Sequence, residues 1–137
     1  MNGARQERTG WRDEALSERH RQWGFNCPAV DIDFLLIEFD TAVPVALIEY
    51  KQEHAQLQWS SHPSYRAICW LGTTANIPVF AVRYAEDLTW FKVTPLNPLA
   101  HDLLKEIKLF DETEYIGFLY HLRGRDVPPE VLNAVAL

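Results

Sequence analysis

The chain has 137 residues, a formal net charge of −6, and 47% hydrophobic and 12% aromatic residues. That length suits one domain with one sizeable core, and the composition excludes a disordered chain. The negative balance disfavours polyanions through bulk electrostatics, so a nucleic-acid contact would need a local basic surface or metal ions at the contact.

Residues 1–10 are polar and read as a loose tail, with a single domain expected over 11–137. The polar N-terminus lacks the apolar segment of a signal peptide. No apolar run approaches the roughly 20 residues that span a bilayer. These features predict a cytoplasmic protein with no membrane contact. Cys27 and Cys69 lie far apart and form no CxxC pair, which predicts reduced core thiols and argues against a zinc ribbon.

Residues 11–23 (WRDEALSERHRQW) read as a helix, with Asp13 and Glu14 in its first turn, Arg19, His20 and Arg21 in its last, and Gly24 as its stop. Residues 31–39 (DIDFLLIEF) and 45–51 (VALIEYK) read as two strands joined by a turn over 40–44, a hairpin. A polar loop over 52–62 leads to a helix over 63–75, opened by Pro63 and ended by Asn76. Strands are expected over 77–84 and 88–94, then helices over 98–108 and 111–122, the last with Asp111 and Glu114 at capping-box spacing. Gly124, Pro128 and Pro129 are expected to end regular structure. The order α-β-β-α-β-β-α-α predicts an α/β fold with a small mixed central sheet of about four strands flanked by helices.

The chemistry concentrates on the hairpin. Residues two apart share a face of a strand, so Glu49 and Lys51 point the same way, as do Asp31 and Asp33. Neighbouring strands lie about 4.8 Å apart, close enough for facing carboxylates to grip one cation. Charges on otherwise apolar strands are costly to bury unless paired or bound to metal. Mg²⁺ or Mn²⁺ suits such oxygen ligands, with Asp33 and Glu49 as the metal carboxylates and Lys51 beside the attacking water. The competing reading is a cross-strand salt bridge between Asp33 and Lys51. A second Glu-x-Lys, Glu106-Ile107-Lys108, falls on an expected helix and is given no role beyond a solvated face. His62, His101 and His121 have no zinc-hydrolase spacing, and no Gly-rich phosphate loop, GxSxG or Cys–His nucleophile pattern is evident.

A helix with an early acid, then Gly24-Phe25, an Asp-bearing strand, a turn, a strand ending in Glu-x-Lys, a helix and a strand together resemble the PD-(D/E)xK nuclease superfamily. The resemblance covers roughly residues 12–84, and the run as a whole looks like small uncharacterised phage or bacterial members. It implies a restriction-endonuclease-like fold and metal-dependent hydrolysis of DNA. Asp33 then matches the strand aspartate (with Asp31 as competitor), Glu49 the second metal carboxylate and Lys51 the catalytic lysine. Glu14 matches the helix glutamate that many members use as a further metal or water ligand, with Glu18 as rival. Gln52, Arg21 and His20 are candidates for substrate contact, against a polar loop for Gln52 and helix C-terminal dipole pairing for His20 and Arg21, and Tyr65 and Arg66 are candidates for facing a bound strand, against edge decoration. Relatives of this size often work as homodimers. The alternative function is a catalytically inactive module of the same fold that binds a protein partner, such as a phage accessory or host-interaction protein.

Overall fold

The computed structural model describes residues 14–23, 32–56 and 62–136, the side chains of Glu14, Ser17, His20, Arg21 and Ala136 excepted. The chain divides into two compact units, residues 1–31 and 32–137. In the first, α1 runs Glu14–Trp23; the expected polar tail, Asp31 and the expected helix stop at Gly24 lie outside the described residues.

The second unit holds an open five-stranded sheet in the order β1-β2-β3-β4-β5, formed by Phe34–Glu38, Val43–Gln52, Val79–Tyr84, Phe91–Pro95 and Lys108–Phe110. Its helices are α2 (Pro63–Thr74), α3 (Pro98–Leu103), α4 (Glu112–Leu122) and α5 (Pro129–Ala136). β2 and β3 pair in parallel, and every other neighbour is antiparallel. The sheet is therefore mixed and helix-flanked as expected, with two corrections. The segment read as one helix over 98–108 stops at Leu103, and Lys108–Phe110 then adds a fifth strand. The second Glu-x-Lys thus does not lie on a helix. Regular structure also does not end at Pro128 and Pro129, because Pro129 opens α5, where its missing N–H and fixed φ are harmless.

Side-chain alternation along the central strands sorts residues between two cores. Ala46, Ile48, Phe80, Val82, Phe91 and Val93 face α3 and α4, where Ala100, Tyr115 and Phe110 complete the larger cluster. Leu47 and Val79 face the other way and pack against Ile68 of α2. Gly72 sets how closely α2 approaches the sheet, since a Cβ there would stand 2.2 Å from Val79 Cγ2. The helix stops at Asn76, whose φ of 62° is left-handed. Asn76 N–H donates to Thr73 O and Ile77 N–H to Gly72 O, which closes the last turn in the Schellman pattern. The buried Asn97 then locks the chain. Its Oδ1 accepts from Val79 N–H and Ala100 N–H, and its Nδ2 donates to Ile77 O and Thr73 Oγ1. At α4 the expected capping box forms, with Asp111 and Glu114 bonding reciprocally at 2.8 Å.

Candidate metal and phosphodiester site

β2 is the strand on which the site is built. Its residues 46–49 are all buried, because β1 and β3 flank it and helices cover both faces. Along one face run Leu47, Glu49 and Lys51. Leu47 lies under α2. Glu49 is 6% exposed in a strand otherwise apolar at its centre, and Lys51, near the carboxyl end, is half-buried.

The hairpin register brings Asp33 to Glu49. Phe34 pairs with Ile48, so Asp33, one step before β1, lies level with Glu49. There the ladder passes into side-chain bonds. Asp33 N–H donates to Glu49 Oε2 at 3.0 Å, and Tyr50 N–H donates to Asp33 Oδ2 at 2.9 Å. One oxygen of each carboxylate is thus committed to backbone, while Glu49 Oε1 and Asp33 Oδ1 are left as potential ligand atoms. The salt bridge offered as the competing reading does not form. Among the described residues all ion pairs join Arg123 or Arg125 to Glu38 or Asp40.

Burial pushes the Glu49 carboxyl up from 4.5 to about 7, and the nearby Asp33 charge adds to that rise. The Asp33 N–H bond and the Lys51 charge oppose it. Glu49 is therefore a buried acid whose charge the protein leaves under-compensated, which is a physical marker of functional sites. Tyr65, in the first turn of α2, is buried beside the pair. Its hydroxyl is raised chiefly by burial, then by the charges of Glu49 and Asp33. The surface-facing role read for Tyr65 from sequence does not match that burial, whereas Arg66 is exposed.

The donor set fits Mg²⁺ or Mn²⁺. Both groups offer hard carboxylate oxygens, and Mg²⁺ typically takes one or two protein carboxylates and keeps its remaining positions for water or phosphate. Among the described residues no group of three or more His, Cys, Asp and Glu is arranged to hold a metal. The backbone of Glu14, His20 and Arg21 belongs to α1, and their side chains lie outside the described residues. Gln52 follows Lys51 in β2 and so points to the opposite face. Its Nε2 donates to Glu86 Oε1 and its Oε1 accepts from His54 N–H. Arg83 of β3 stands beside Lys51 in the sheet register.

Comparison with known proteins yields no matching family model, no matching curated protein and no matching solved structure.

Proposed function

We propose that the protein is a metal-dependent nuclease of the PD-(D/E)xK type, hydrolysing phosphodiester bonds in DNA. One observation carries this reading. Asp33 and Glu49 are hydrogen-bonded on a central strand, with Glu49 buried and in no salt bridge among the described residues, and Lys51 two residues on along the same face. A structural ion pair would neutralise that charge, whereas a divalent-cation site leaves it open for the metal.

Asp33 and Glu49 would hold the cation. When bound, it supplies Lewis acidity, lowering the pKa of its water from about 15.7 toward neutrality and polarising a phosphoryl oxygen. The chain's own groups do the rest. The Asp33 N–H fixes the Glu49 carboxylate in place, and the Tyr50 N–H does the same for Asp33. Lys51 reaches the substrate phosphate from the same face, orients the attacking water and neutralises negative charge as it grows on the phosphoryl oxygens. A small domain has little surface for base readout, which favours recognition of DNA structure over sequence.

The second reading, an inactive nuclease-fold module with a protein partner, is favoured by the exposed apolar side chains of Leu35, Ile37 and Val43 on the β1–β2 hairpin. The experiment that separates the two incubates supercoiled, linear and branched DNA with the protein in Mg²⁺ or Mn²⁺ and in EDTA. Cleavage of at least one substrate that requires the metal is the expected result. Intact DNA in every arm, with protein shown to be folded, sinks the nuclease reading and favours the module.

A further inference from the structure

The sheet face that carries Glu49 is graded from one end to the other. Leu47 and Val79 are neighbours in register and are covered by α2. The next row is Glu49, Ala81 and Thr94. The row after that is Lys51, Arg83 and Lys92, at the carboxyl ends of the parallel pair β2 and β3. Residues paired in register project to the same side of a sheet. Three basic side chains from three adjacent strands therefore stand abreast, one row beyond the proposed metal carboxylates, in a chain of net charge −6.

Arg83 and Lys92 are directly opposite on antiparallel strands, where like charges are destabilising. No carboxylate among the described residues forms a salt bridge with Lys51, Arg83 or Lys92, since the ion pairs belong to Arg123 and Arg125. Arg83 is nonetheless held in place. Its Nε and Nη2 both donate to the Glu53 carbonyl, which fixes the guanidinium plane while leaving Nη1 for another acceptor. Lys92 is exposed, and Lys51 and Arg83 are half-buried. Open α/β sheets commonly bind ligands outside the carboxyl ends of their parallel strands.

We infer that Lys51, Arg83 and Lys92 form a phosphate track that holds the backbone of the DNA strand to be cut, with Arg83 and Lys92 as positioning residues for the phosphates flanking the scissile one. The inference rests on the nuclease reading for its choice of substrate. Three adjacent strands place the backbones of the outer two residues roughly 10 Å apart, a span that suits a strand carrying one phosphate per roughly 3.4 Å of helical rise.

The test is fluorescence anisotropy of a labelled oligothymidylate with full-length protein in EDTA over a salt series, where no cleavage occurs. The expected result for Lys92→Ala is weaker binding and a log–log salt slope reduced by roughly 1. Arg83→Gln should do the same, and the double variant should lose both contacts. Lys108→Ala removes the same charge from β5, where the register Val93 to Lys108 sets it on the opposite face, and should leave the slope unchanged. Lys92 is exposed, so its variant tests the track even if Arg83→Gln fails to fold. Equal effects of Lys92→Ala and Lys108→Ala, an unchanged slope in Lys92→Ala, or no binding by the wild type each overturn the track. Because binding is read without metal, metal-dependent cleavage alongside any of these outcomes removes the track alone. Binding with the expected slopes but no cleavage removes the nuclease reading instead.

Discussion

Glu49→Gln is expected to raise the melting temperature at about pH 8 and to leave it nearly unchanged near pH 4, on either side of a window set by the Glu49 carboxyl. Burial lifts that carboxyl from 4.5 in the unfolded chain to about 7 in the folded one. Below pH 4.5 it is neutral in both states. As pH rises through the window the unfolded chain releases its proton first, so the folded state binds more protons and stability falls with rising pH. The loss is complete once pH passes about 7. At about 1.36 kcal/mol per pKa unit the ionised carboxylate costs up to about 3 kcal/mol, or roughly 10 °C in Tm for a domain of this size. Glutamine keeps an acceptor for the Asp33 N–H and never ionises. Mn²⁺ added at the higher pH should raise the Tm of the wild type and leave that of the variant where it is, because only a ligand that binds the folded site stabilises it. Thermal melts of both proteins at the two pH values check this. A variant less stable than wild type at the higher pH would show that the carboxylate is structurally compensated.

Lys51→Ala is expected to slow metal-dependent cleavage by about 10²- to 10³-fold, the usual consequence of losing one preorganised group that stabilises transition-state charge. Lys51 is half-buried near the end of β2 and forms no salt bridge among the described residues, so the substitution removes only its longer-range attraction for the Glu49 carboxylate. The melting temperature should therefore change little while the rate collapses. Single-turnover cleavage at saturating metal, set beside a thermal melt, reads the two separately. A rate within a few-fold of wild type would remove Lys51 from the chemistry.

Much of the site was legible because β structure has a period of two. That period alone sets Glu49 and Lys51 on one face, and a short hairpin carries the start of the first strand back to the end of the second. The same rule applied one residue further shows that Gln52 points away from Lys51, and the structure ties its amide to Glu86. Helix ends were also readable where local chemistry decides them, as at Asn76 and the Asp111–Glu114 box. Tertiary context decided the rest. Lys108–Phe110 follows a run with good helix formers and becomes a strand because β4 offers it a partner, with Phe91 opposite Phe110. Pro129 reads as a terminator in isolation and acts as a helix start. The basic row was invisible because Lys51, Arg83 and Lys92 are separated in sequence and meet only through a parallel pairing followed by an antiparallel one. Tyr65 gave no local sign that it would be buried beside two carboxylates.

The measurement that bears most directly on the account is a Mn²⁺ titration followed by electron paramagnetic resonance at about pH 8, where Glu49 is ionised, comparing wild type with Asp33→Asn and Glu49→Gln. The expected result is saturable binding by the wild type that is strongly weakened in each variant, with both variants still folded. Wild-type protein that leaves Mn²⁺ free in solution, or variants that bind it as well as wild type does, would contradict the assignment of Asp33 and Glu49 as a metal site.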